Sequence, residues 1–147
     1  MSKLTFQDAI PIPNSPPLTI PRLGFGVFRS PPSQCAASVL AALSTGYRHI
    51  DTAQIYGNEE QVGEAVRKSG LPRSEVFITT KVLRAEGSVE KTLEKLRGSV
   101  ERIGLGWVDL FLIHTPNGGP KARREMWEAL ERLKSEGGAK SIGVSNL

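Results

Sequence analysis

From Leu23 onward the chain alternates strand-like and helix-like segments at steps of roughly thirty residues, and that rhythm restricts its fold more than any other feature. Leu23-Gly24-Phe25-Gly26-Val27 reads as a first short strand. Ser30-Pro31 supplies a cap and a proline for the helix that follows, in which Ala36, Val39, Leu40 and Leu43 form one apolar stripe and Gly46 ends the run. Tyr47–Thr52 is the second strand. Asn58 and Gln61 have capping-box spacing, and Val62, Ala65 and Val66 face inward before Gly70. Glu75–Lys81 is rich in β-formers, and Val89, Leu93, Leu96, Val100 and Ile103 then recur at helical spacing up to Gly104. Val108–His114 is almost wholly apolar, as a strand covered on both faces should be. Its helix carries Met126, Trp127, Leu130 and Leu133, and Lys140–Val144 is a fifth strand.

Such units form a parallel sheet with right-handed crossovers. Two architectures satisfy the pattern: an open doubly wound sheet and a (β/α)8 barrel. The first strand-to-helix turn has no G-x-G-x-x-G, which weighs against a dinucleotide-binding open sheet. Periodicity does not separate them further. Residues 1–22 stand apart as an N-terminal arm or hairpin, with residues 23–147 as the repeating unit. Five prolines between Pro11 and Pro21 exclude a helix there, Leu4-Thr5-Phe6 offers a short strand, and Asn14-Ser15 a turn.

The 147 residues suffice for one domain with its own core, and 39% hydrophobic with 23% charged residues is ordinary for a soluble protein. The net charge of +4 is spread along the chain, without a basic and aromatic strip, so nucleic acid is not an expected partner. Cys35 is the single cysteine, which excludes an internal disulfide and fits a reducing compartment; beside Ala36 and Ala37 it reads as packing. No apolar stretch is long enough for a signal peptide or a membrane span, so the expected location is cytoplasmic.

In parallel α/β folds, chemistry collects where strands end. Those ends carry Asp51, Lys81 and His114, with Tyr56 in the loop after Asp51. Taken singly, each has a structural explanation: a loop cap, a solvated strand end, a packed phenol, a structural imidazole. Together they suit one task. A carbonyl that accepts hydride needs a proton on its oxygen, and a phenol is a weak acid at neutral pH. An adjacent ammonium stabilises the phenolate, a carboxylate positions the ammonium, and an imidazole N–H orients the carbonyl oxygen. A lysine at a barrel rim also admits a second chemistry, a Schiff base as in an aldolase. No metal site is expected.

Gly46-Tyr47-Arg48-His49-Ile50-Asp51-Thr52-Ala53 followed by Tyr56-Gly57-Asn58-Glu59 resembles the signature of the aldo-keto reductase family. So do Ile78-Thr79-Thr80-Lys81, Asp109–His114 and Ile142-Gly143-Val144-Ser145-Asn146, in the family's order. The resemblance implies a parallel (β/α)8 barrel of the TIM type and NADPH as cofactor. It also implies a small aldehyde or ketone as substrate, with secondary metabolism as a setting. It places the family's catalytic tetrad on Tyr56 as proton donor, Lys81 as the group that tunes it, Asp51 as partner of Lys81, and His114 as substrate orienter. Ser145 and Asn146, with Asp51, fall on cofactor-binding positions, and Phe28 on an aromatic wall of the substrate pocket; His49 reads as structural. The chain departs from the family at Val27, where a threonine is usual, and at Thr115, where many members carry tryptophan.

A closed barrel needs about 250 residues. The chain reads as five strands and four helices, an incomplete barrel cut after the fifth strand. It is then a truncated product, a partial gene model, or a half-barrel that self-associates through its exposed edges. The alternative to a reductase is a non-catalytic chain of this family that serves as a binding or interaction module.

Overall fold

In the computed structural model, residues 3, 5–13 and 15–146 are described. The arm is a two-stranded antiparallel hairpin, β1 (Ala9–Pro11) against β2 (Thr19–Pro21), with Ile10 opposite Ile20. Of the expected first strand, Leu4 lies outside the described residues and Phe6 sits in a turn, its ring 5.0 Å from that of Tyr47. Burying an aromatic ring outweighs strand pairing there. Asn14 of the expected turn also lies outside the described residues.

The repeating unit follows as β3 (Phe25–Gly26), α1 (Pro32–Thr45), β4 (His49–Asp51), α2 (Glu59–Ser69), β5 (Phe77–Val82), α3 (Val89–Ile103), β6 (Val108–Ile113), α4 (Gly119–Ser135) and β7 (Ala139–Val144). The five strands β3 to β7 lie side by side in sequence order and every pair is parallel. Order without reversal decides between the two architectures. Each right-handed crossover steps the same way, so all four helices fall on one face, and neighbours α1–α2, α2–α3 and α3–α4 pack against each other. A doubly wound sheet would reverse direction and cover both faces. This is the (β/α)8 arrangement, carried as far as five strands and four helices.

Strand periodicity then assigns the faces. Ile50, Ile78, Val82, Phe111 and Ile113 point toward the helices and join Val39, Leu43, Val62, Leu93, Leu96, Ile103, Leu130 and Leu133 in one core. Burying a side chain of this size contributes about 1.5–3 kcal/mol, so this layer holds most of the fold's stability. Packing is closest between α2 and α3: a Cβ on Gly63 would stand 1.7 Å from the Ile103 carbonyl oxygen. The opposite, inner face carries His49, Asp51, Thr79, Lys81, Leu110, Leu112 and Gly143. Leu110, Leu112 and Gly143 are only half-buried.

Two expected caps differ. Helix α1 begins one residue later than expected, with Pro31 at the cap position and Pro32 inside, and no side chain caps it. Two prolines lack the N–H groups a serine would have satisfied. Asn58 does occupy the cap position of α2, but its side chain makes no cap hydrogen bond; it is drawn elsewhere, as described below. Ser88 does cap α3, its hydroxyl accepting from the Lys91 N–H at 3.3 Å. Among the described residues, no helix is long and apolar enough to cross a membrane.

Candidate active site

The carboxyl ends of β4, β5 and β6 deliver Asp51, Lys81 and His114 to one rim, because parallel register aligns them: Asp51 pairs with Thr79 and Lys81 with Leu112. Tyr56 arrives on a single 3-10 turn, Gln54–Tyr56, closed by Gly57 at φ 68°, a left-handed conformation that glycine adopts without strain.

Lys81 is the centre of the arrangement. Its Nζ donates to Asp51 Oδ1 at 2.6 Å and to the Thr52 carbonyl at 2.9 Å, and the side chain is 8% exposed. An ammonium has three N–H donors. Two are committed, and the Tyr56 ring centre lies 5.1 Å from Nζ. This commitment also argues against the Schiff-base alternative, since the amine is not presented as a free nucleophile. The Tyr56 hydroxyl makes no hydrogen bond among the described residues, so the phenol is free to serve a ligand.

Two rings frame that phenol. His114 stands edge-on to Tyr56 at 5.7 Å and 79°, and Phe28 lies 5.1 Å away on a loop, 63% exposed. Burial, reinforced by the Lys81 charge and opposed by Asp51, pushes the His114 pKa below the usual histidine value. The ring is therefore neutral at pH 7, with one N–H to give and one lone pair to receive. Among the described residues, His114 Nδ1 and the neighbouring Thr115 hydroxyl are buried without a hydrogen-bond partner.

Ser145 and Asn146 follow β7 directly. The Ser145 N–H donates to the Ile113 carbonyl at 2.9 Å, and Asn146 Nδ2 donates to the His114 carbonyl at 2.8 Å and to Ser145 Oγ at 3.1 Å. Asn146 holds φ at 59°, a left-handed value asparagine tolerates better than most residues. The structure thus brings Asp51, Tyr56, Lys81, His114 and Phe28 into one cluster and ties Ser145 and Asn146 to it through the His114 backbone. His49 lies at the other end of its strand, bonded to Thr79 Oγ1 at 2.9 Å, and buried Cys35 packs in the core with its thiol pKa pushed up by burial.

Several residues around the rim have contacts that the sequence reading did not anticipate. Gln54 anchors the Tyr56 turn to α3 by donating to Ser99 Oγ at 2.8 Å. Glu59, its side chain 2% exposed, accepts from Thr80 Oγ1 at 2.6 Å and from Arg102 Nη2 at 2.8 Å, which locks the start of α2 to β5 and α3. Thr52 and Asn58 are fully buried and bonded to each other. The partners of Gln54 and Glu59 lie 21 to 45 residues away and leave no local pattern. A cavity of about 700 Å³ lies at the opposite end of the strands, under the hairpin, lined by Pro17, Leu18, Arg48, Phe77 and Lys140 among others. It contains none of the rim residues.

With this geometry in view, residues 22–147 match the Aldo/keto reductase family. The chain belongs to that family. An aldo-keto reductase of Mycobacterium sp. (strain KMS) is 44% identical over 128 residues, which cover 87% of this chain and 46% of the relative. An aldo/keto reductase structure from Brucella melitensis superposes with a TM-score of 0.89 at 42% identity, over 95% of this chain and 54% of that one. A Bombyx mori aldo-keto reductase solved in complex with NADP gives 0.82 at 31% identity, over 93% and 50%. This aldo/keto reductase chain spans about half the length of the relatives it matches.

Proposed function

We propose that this aldo/keto reductase chain supplies the proton-delivery side of an NADPH-dependent reduction of an aldehyde or ketone to an alcohol. The observation that carries this reading is the Lys81 ammonium, held by Asp51 and the Thr52 carbonyl beside a Tyr56 phenol that has no hydrogen-bond partner among the described residues. NADP in the silkworm relative supports the choice of cofactor. The bound nicotinamide cofactor supplies the hydride.

Ser145 and Asn146 fit a primary carboxamide. A hydroxyl both donates and accepts, and Asn146 spends only its Nδ2, leaving Oδ1 as an acceptor among the described residues. These two side chains would hold the nicotinamide amide at the end of β7. A neutral His114 donates to the carbonyl oxygen of the substrate and sets its direction. Phe28 stacks along the substrate beside Tyr56. As the carbonyl carbon gains hydride, the Tyr56 O–H passes its proton to the carbonyl oxygen and the product is a neutral alcohol. The charge left on the phenol is stabilised by the nearby Lys81 ammonium, and Asp51 keeps that ammonium in place.

The test is carbonyl-dependent loss of NADPH absorbance by the full-length gene product, with Tyr56→Phe as comparison. General acid catalysis by a placed side chain is worth about 10²–10⁴-fold, so the variant loses activity by that order while retaining NADPH binding. Full activity in Tyr56→Phe would remove the phenol from the reaction.

A further inference from the structure

We propose that Asn58 is a positioning residue that holds the Phe28 wall, the Tyr56 turn and Lys81 in mutual register; the proposal rests on the reading of Tyr56 as proton donor. Asn58 is fully buried and uses its whole amide. Oδ1 accepts from Thr52 Oγ1 at 2.7 Å, while Nδ2 donates to the carbonyls of Val27 at 3.0 Å and Ser30 at 3.1 Å. None of these bonds serves the helix that Asn58 starts. A residue type suited to capping has been diverted to join two loops.

The diversion has consequences on both sides. Val27 and Ser30 bracket Phe28 and Arg29, and Arg29 sits at φ 60°, a strained value for a residue with a long side chain. Clamping the carbonyls at both ends holds that turn. Phe28 is 63% exposed, so apart from the Arg29 guanidinium at 5.1 Å its ring rests mainly on Tyr56. The clamped turn therefore sets the ring's angle to the phenol. On the other side, Thr52 receives no solvent contact and its carbonyl is the second anchor of Lys81. Asn58 lies two residues after Tyr56 and binds the residue whose carbonyl holds the ammonium. One amide thus spans the aromatic wall, the acid and the group that tunes it. Asn58→Asp keeps the shape but turns the donor toward Val27 and Ser30 into an acceptor facing two carbonyls, and Thr52→Val removes the hydroxyl while keeping the bulk.

The experiment exploits the chain's two tyrosines, Tyr47 and Tyr56. Ring-labelled tyrosine gives two NMR signals, assigned by Tyr47→Phe. Asn58→Asp and Thr52→Val are expected to move the Tyr56 signal and leave that of Tyr47 in place. In the full-length gene product, kcat for carbonyl reduction falls by about 100-fold, the order expected for a displaced reacting group, with KM for NADPH unchanged. Thr52→Ser, which keeps the hydroxyl, retains the signal position and kcat. A Tyr56 signal that stays put in the folded variants, or both signals moving together as in general loosening, overturns the proposal. Should Asn58→Asp fail to fold, Thr52→Val against Thr52→Ser decides. If the unmodified protein shows no carbonyl-dependent oxidation of NADPH, the parent reading fails, while the signal comparison still judges the positioning.

Discussion

On the face of the sheet that meets the helices, Ile50, Ile78 and Phe111 are fully enclosed; on the other, Leu110 and Leu112 are only half-buried beside Asp51 and Lys81. The same strands build both faces, residue by alternate residue. One face is apolar and closed by four helices, and the other is mixed in polarity and carries the reactive groups. Stability and chemistry are therefore separable by a shift of one residue along a strand.

The sharpest way to break that comparison is to truncate one leucine on each side. Leu96→Ala, in the closed layer, is expected to cost about 2–5 kcal/mol in urea unfolding, the range for a buried leucine that leaves a cavity. Leu112→Ala, on the inner face, is expected to cost less, about 1–2 kcal/mol, because part of its surface already meets water. Equal costs would mean that the inner face is packed in solution, and the contrast would collapse.

Much of this contrast was legible in the sequence. The helices announced themselves through stripes such as Leu93, Leu96 and Ile103, and β6 through its unbroken apolar run, because burial acts on every turn and leaves a period. Asp51, Lys81 and His114 were legible as strand ends. Tyr56 was legible only by its place in the loop after Asp51 and by its chemistry beside Lys81, since it rides a turn with no periodic signature. Asn58 was read as a cap because an asparagine before Glu59-Glu60 meets the local criteria. Its partners Val27 and Ser30 lie 31 and 28 residues away, and only the fold brings them near. The hairpin was anticipated from its prolines, whereas Phe6 was misassigned because its attraction to Tyr47 is tertiary.

A smaller effect separates the faces by pH. Burial pushes the pKa of His49 and of His114, both on the inner side, below that of an unfolded histidine. Between the folded and unfolded values the unfolded chain binds more protons. The associated stability is thus complete above about pH 6.5 and is lost as pH falls below it. Urea midpoints between pH 7.5 and 5 are expected to decline, and His49→Gln is expected to flatten the decline; a midpoint rising toward pH 5 would contradict the assignment. The smallest effect lies on the outer surface of the helices. Arg97 meets Glu136 through two hydrogen bonds at 2.6 and 2.9 Å, but both are well exposed. Glu136→Gln is expected to leave the urea midpoint within error at moderate salt, as solvent screening predicts.

The hairpin touches the sheet near both margins. Phe6, at the root of the arm, rests on Tyr47 beside β4, and Ser15, near its tip, meets the Ser141 hydroxyl of β7 at 3.2 Å. The arm thus ties the strand ends opposite the rim together across the sheet, from beside β4 to β7, by one aromatic contact and one hydroxyl pair.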